Sequence, residues 1–588
     1  MKKVKLTPSG IQAIFYLSFF LLTWLGIYFT AGYLFFFQEK SSFFQTTTGY
    51  FQEQISRPGG WLNYLGQFQT ALYFYPLVGS LIVASEIILA GFLSGEIIQF
   101  NRHCRSLILP FLFIAFLCYF QLDYRYMGFN TLGILLQVLV FYLTVKYLKK
   151  SLSWLIPILP LLMYYFTGFF SVIFLGMVLI RLILSRENHW MWKILLTLVV
   201  TATGFFTGRA FLFYSTDAAL LLFPFSLPHT GGQGYFFVSF MVLISFLPLY
   251  ALLSPRFGQV KPVRTALTWA PVPVFFLLLG VLFLQSDHRN ADYFRVEKLF
   301  YEQKYDQVVQ YNLENPSHNQ LTQFLNNIAL CETGKLNDLL FSFPQSADGG
   351  TLFLKWEMVT EVLKRGGYWY YSLGLINEAQ RWAYENMVMQ GYTPEGLKML
   401  IKTELINGNY GVASKYIYAL KNSLFYRKEA MAFERLLRNE QAINAHPEYG
   451  RKRKQKPVSD FFVLTDNPPA NLAQLIKSDS TNQAAIAYHF AWLLLQKNIP
   501  EVVKNLPLLE KAGYSRLPLH LDEAATGFKL VKMGEFSPLQ KLDISAPVIQ
   551  RFDHFYRLLR QNNSSREQAQ QALLKEFGRS FWFYYFFQ

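Results

Sequence analysis

The sequence predicts an all-α protein in two parts, a polytopic membrane helix bundle followed by a soluble helical-repeat domain. Nine long apolar stretches lie between Met1 and Ser286, and none follows until the final few residues. Charge changes at the same place. Residues 1–285 hold 18 of the 54 Lys and Arg and only seven acids (Glu39, Glu53, Glu86, Glu96, Asp123, Glu187 and Asp217), while 36 basic and 31 acidic residues lie downstream. Beyond residue 293 apolar positions recur every three or four residues, which is the helical period.

The first element opens with Lys2-Lys3-Val4-Lys5 and runs through Ile11–Phe37. It is too long for a signal peptide and no small-residue cleavage site follows, so an uncleaved first span is expected. The later candidates are 71–95, 106–121, 129–146, 152–166, 168–184, 191–208, 235–254 and 267–285, with 152–184 also readable as one segment broken at Thr167-Gly168. A span needs about 20 apolar residues, so several of these are short. With the N-terminus in the cytoplasm, 14 basic residues fall on the cytoplasmic side and four (Lys40, Arg57, Arg125, Arg209) on the other, the bias of the positive-inside rule. Nine spans put residues 286–588 outside the cytoplasm, which in a bacterium is the periplasm; an even count would reverse this. The pI near 9.4 therefore reports topology, and no nucleic-acid partner is expected.

The C-terminal part divides into 286–447, a basic, proline-bearing linker over 448–470, and 471–588. The linker carries Arg451-Lys452-Arg453-Lys454-Gln455-Lys456-Pro457 and Asn467-Pro468-Pro469. The chain closes on seven consecutive aromatics, Phe581 to Phe587. Rings of that size bury 150–250 Å² each, so docking on the helical domain or at a membrane interface is expected, with a partner-binding tail as the alternative. A turn signature recurs at Gln303-Lys304-Tyr305, Gly334-Lys335-Leu336, Gly374-Leu375-Ile376, Gly408-Asn409-Tyr410 and Lys497-Asn498-Ile499, each opening a helix, and Ile376 to Tyr410 is 34 residues. This resembles a degenerate tetratricopeptide (TPR) repeat, whose helical hairpins stack into a superhelix. The resemblance implies a groove for a protein or peptide partner; a compact helical cap is the other reading.

No catalytic motif stands out. Gly231-Gly232-Gln233-Gly234 lacks the Lys-Ser/Thr of a phosphate loop. Cys104, Cys118 and Cys331 show no metal-ligand spacing with His. No metal site and no cofactor is identified, and a divalent metal is left open. Glu86 lies inside the second span. It belongs either to an ion or proton path or to helix packing as a hydrogen-bonded acid. The outer connectors carry Glu39, Lys40, Glu53 and Arg57 in the first, Asp123 and Arg125 in the second, and Arg209, Asp217 and His229 in the segment 208–234.

The layout of residues 1–285 resembles the multi-spanning GT-C glycosyltransferases, which set acids near the outer membrane face to serve a polyprenyl-phosphate sugar donor. That resemblance implies Glu53 or Asp123 as a general base. It also implies substrate contacts from Glu39, Arg57, Arg125, Arg209, Asp217 and His229, with Arg125 and Arg209 on the donor phosphates. The bland reading makes these solvated loop charges. The whole chain is also similar to an uncharacterised family of bacterial polytopic membrane proteins. The expected function is envelope biogenesis at the inner membrane, with a glycosyltransferase that uses a lipid-linked donor as the leading reading. A non-catalytic membrane-anchored scaffold and a transporter are the alternatives.

Overall fold

The computed structural model describes residues 8–98, 108–148, 150–186, 189–226, 228, 232–257, 269–285, 287–357, 359–457, 461–531, 542–562 and 565–588. Every regular element among them is helical. The chain divides into two compact units, Met1–His288 with Asn422–Phe425, and Arg289–Lys421 with Tyr426–Gln588.

In the first unit Pro76–Ile98 is the central helix. It packs against Pro8–Ala31, Ile108–Gln121 and Phe129–Tyr147. Small residues permit these approaches: a Cβ on Gly91 would come within 2.4 Å of Ile114, and one on Gly66 within 2.5 Å of Phe129. Val83, Ile87, Phe111, Leu117, Ile134 and Val138 fill the buried interior. The outward faces are also apolar; Leu17, Phe29, Leu195 and Phe276 are among their exposed residues. Contiguous exposed apolar surface of this kind marks contact with lipid or another apolar partner.

Among the described residues five helices, not nine, are long and apolar enough to cross a membrane: Gly10–Ala31, Pro76–Ile98, Phe129–Tyr147, Leu152–Ser185 and Trp190–Leu212. A sixth arises if Pro271–Leu284 is counted with the helix that follows it. The shortfall has physical causes. Ile108–Gln121 has 14 residues, about 21 Å at ~1.5 Å per residue against a hydrocarbon core of ~30 Å. The segment expected over 235–254 breaks at Phe246 into Gly234–Ser245 and Leu247–Phe257, where Pro248 has no amide hydrogen to continue the ladder. The 152–184 segment is one apolar run interrupted at Gly168, whose φ is +58°. The side on which the C-terminal part stands therefore rests on connector charge alone.

In the second unit all five recurring turn segments fold alike. Gln303, Gly334, Gly374, Gly408 and Lys497 each take a positive φ. The amide of the next residue donates back to the carbonyl five positions earlier (Lys304 to Leu299, Lys335 to Leu330, Leu375 to Tyr370, Asn409 to Glu404, Asn498 to Leu493). The amide of the positive-φ residue itself donates to the carbonyl three positions before it. This is the Schellman cap, which satisfies the last carbonyls of one helix and turns the chain into the next. Helix starts are equally explicit, with Asn319, Thr393, Asn482, Asn498 and Ser565 accepting backbone amides through their side chains.

One expectation changes here. The basic run of the 448–470 linker is folded: Tyr449–Gln455 is a helix with Lys452 buried. Lys452 Nζ donates to Glu332 Oε1 at 3.1 Å and to the Ser372 carbonyl at 2.7 Å. Arg453 reaches the carbonyls of Leu405 and Ile406. Its partners sit far away in sequence, so local composition conceals them. The aromatic end docks within its own unit as the helix Phe581–Phe587. Phe581 to Tyr584 are buried, the Trp582 indole donates to the Glu523 carbonyl at 2.8 Å, and the Tyr584 hydroxyl donates to the Leu495 carbonyl at 3.0 Å.

Candidate functional site

The connector residues singled out by sequence make four separate local contacts. Asp123 accepts the Arg125 amide at 2.9 Å through Oδ1 and the Gly232 amide at 3.2 Å through Oδ2, with Arg125 Nε 3.5 Å from Oδ1. Arg209 Nε lies 2.6 Å from Asp217 Oδ1, both side chains being about half exposed. The Arg57 guanidinium sits 3.9 Å from the centre of the Phe223 ring, a cation–π contact. Glu39 is buried beside Lys40 at 3.5 Å. His229 lies outside the described residues.

No hydrogen bond or ion pair among the described residues joins Glu53, Asp123 and Arg209. Asp123 and Arg209 each already hold a partner of opposite charge or an amide donor, so a donor phosphate would have to displace existing bonds. Glu53 differs: it is exposed, and its carboxylate accepts no hydrogen bond among the described residues. No group of three or more His, Cys, Asp or Glu is placed to hold a metal ion among them either.

The connectors are tied to one another through backbone. The Gly59 amide donates to the Tyr165 carbonyl at 2.9 Å and the Phe169 amide to the Phe223 carbonyl at 3.1 Å. Gly59 (φ +78°) and Gly168 (φ +58°) meet at this crossing. A Cβ on either would come within 3.1 Å of the other's Cα, and one on Gly168 within 2.0 Å of the Phe223 oxygen. Glycine is required there twice over, for its φ and for the absence of a side chain.

Glu86 is the other candidate. Gln69 Nε2 donates to Glu86 Oε2 at 2.9 Å and to the Tyr73 hydroxyl at 2.8 Å. Gly128 lets the Tyr73 hydroxyl approach its backbone, since a Cβ there would lie 2.4 Å from that oxygen. Close by in the chain, Gln38 Nε2 donates to the Tyr126 carbonyl at 2.9 Å and the Tyr126 and Thr131 hydroxyls are 3.2 Å apart. Gln121 is fully buried, with no hydrogen-bond partner for either amide atom. Sequence reasoning found Glu86 and missed Gln38, Gln69 and Gln121. The available signal was an amide side chain inside or beside an apolar run, where an unmet polar group is costly.

Residues 8–588 match DUF6057, a family of unknown function. The chain belongs to this family. The match takes in both units, which makes membrane-type and helical parts features of one family architecture, and the expectation of an uncharacterised family is met. No curated protein and no solved structure matches the chain.

Glu86→Leu is expected to lower stability by about 1–2 kcal/mol, because it leaves a Gln69 donor without an acceptor. Glu86→Gln keeps an acceptor and should cost less. Thermal unfolding of the detergent-purified protein measures both. Equal losses would mean that the hydrogen bond is not what Glu86 contributes.

Proposed function

We propose that the protein is a multi-pass membrane protein of the bacterial envelope whose helical unit recognises a partner, with the membrane unit as a non-catalytic base. The observation behind this reading is the local pairing of the connector charges, Asp123 with Arg125 and the Gly232 amide and Arg209 with Asp217, each group satisfied by its own partners. The five like turns support a TPR-type array, in which stacked hairpins offer a concave binding face. The 14-to-4 charge bias supports an inner-membrane setting with the N-terminus cytoplasmic and the helical unit periplasmic.

Affinity purification from membranes tests the reading. A stoichiometric protein partner that depends on the helical unit is expected. Retention of a polyprenyl phosphate without a protein partner would instead favour the glycosyltransferase. That second reading has one observation in its favour, the exposed Glu53 carboxylate, which accepts no hydrogen bond among the described residues and lies four residues before Arg57; Glu53→Gln should then abolish sugar transfer while leaving the protein folded.

A further inference from the structure

The second unit has a partly open cavity of about 220 Å³ between the turn after Glu332, the Tyr449–Gln455 helix and the start of Gln483–Leu495. Its volume corresponds to about seven waters at ~30 Å³ each. That is room for one small molecule of sugar-ring size and too little for a folded peptide segment or a lipid tail.

The wall is polar, with Glu332, Asn337, Arg451, Lys452, Gln455 and Gln483 contributing. Three of these are its only charged residues, two cations and one acid, so the wall carries one net positive charge. The cations are held in place. Arg451 Nη2 donates to Glu332 Oε2 at 2.7 Å, Lys452 Nζ donates to Glu332 Oε1 at 3.1 Å, and the Ser372 hydroxyl donates to Glu332 Oε1 at 2.7 Å. Lys452 is 1 % exposed, a buried cation fixed by design of its surroundings and not a mobile surface lysine. Burial by itself would raise the Glu332 carboxyl, but Lys452 and Arg451 outweigh it and hold the group below the ordinary glutamate value.

Two wall amides are left with acceptor capacity. Asn337 Nδ2 donates to the Ala487 carbonyl at 3.0 Å, yet its Oδ1 has no hydrogen-bond partner. The buried Oε1 of Gln455 also has none. Unmet acceptors favour a ligand that brings hydrogens of its own. An ammonium would bring them but meets a wall that is already positive. Hydroxyl groups bring them without charge. The single excess positive charge suits one carboxylate, whereas Glu332 in the same wall opposes a phosphate dianion.

From these features we infer that the cavity binds a single sugar acid, a sugar-ring polyol carrying one carboxylate. The inference rests on the recognition reading above and gives it a ligand class. The carboxylate would sit against Arg451 and Lys452, and the hydroxyls against the amide side chains.

Isothermal titration calorimetry of the full-length protein in detergent tests this, with sodium glucuronate, glucose, acetate and inorganic phosphate as probes. Glucuronate should bind saturably, and glucose and acetate at least about tenfold more weakly, since each lacks half of the recognised groups. Arg451→Gln, at a half-exposed position, should weaken glucuronate about tenfold. Ala484→Leu fills the wall without touching a charge and should abolish binding while the unfolding temperature stays unchanged. Absence of saturable heat with glucuronate, equal binding by Ala484→Leu, or tighter binding of phosphate would each overturn the inference. Partner capture is scored on the same preparations. A protein partner retained by a chain that binds no sugar acid removes the cavity assignment alone. Sugar-acid binding with no partner captured removes the protein-partner reading alone.

Discussion

Arg365→Met should destabilise the protein by about 3–5 kcal/mol, the usual cost of leaving one member of a buried ion pair behind. Arg365 Nη2 lies 2.5 Å from Glu297 Oε1, and the two side chains are 1 % and 4 % exposed. The hydroxyls of Tyr293 and Tyr301 also donate to that carboxylate oxygen. Without the guanidinium, the buried Glu297 carboxyl loses its direct cationic partner and keeps the two tyrosine hydroxyls. The double variant Arg365→Met/Glu297→Gln removes the stranded charge and keeps an acceptor for both tyrosines, so it should recover more than half of the loss. Denaturant unfolding of the full chain in detergent measures both. Equal destabilisation by single and double variants would show that the ion pair is not the stabilising element. The network also predicts acid sensitivity. Burial would raise the Glu361 carboxyl, but Arg365 and Lys364 outweigh it and hold it at about 2 against an ordinary 4.5. A depressed carboxyl contributes fully above the unfolded value and loses its contribution as pH falls from about 4.5 to about 2. That acid-dependent loss should shrink in Arg365→Met.

Gly168→Ala is the counterpart in the first unit, with an expected cost of roughly 3 kcal/mol or more, from an unfavourable positive φ and from overpacking together. The added methyl would meet the Phe223 carbonyl oxygen at 2.0 Å, a backbone atom that cannot rotate away. The same oxygen accepts the Phe169 amide, so any shift breaks a bond that joins two connectors. Gly280→Ala is the control, because nothing lies within 4 Å of a Cβ there; it should be close to neutral. A similar unfolding temperature for both variants would mean that the crossing at Gly59 and Gly168 can relax.

The apolar runs and helical periods made the all-α architecture legible, because helix formation answers to composition over a dozen neighbouring residues. Span counting was less secure. Ile108–Gln121 and Gly234–Ser245 are short apolar helices whose lengths depend on where the backbone turns, which hydropathy does not record. The turn segments were legible as a pattern, and their common hydrogen bonding became visible only with coordinates. Lys452 shows the limit most clearly. Its neighbours in sequence are basic, while the Glu332 carboxylate that fixes it is 120 positions away. Glu86 was visible as a charge in an apolar run, but the Gln69 amide that engages it lies in another helix. Pairing across distance, not residue type, was the missing information.

The repeated Schellman caps have a consequence for how such a protein can change over generations. Each cap asks for one residue tolerant of left-handed backbone and otherwise uses bonds that every amino acid possesses, as Gln303 and Lys497 demonstrate by standing where three glycines stand elsewhere. Mutation can therefore rewrite the surfaces between caps, or lengthen a helix by a turn, without erasing the punctuation. Relatives should show their insertions gathered beside these positions, and helix faces diverging faster than the corners that connect them.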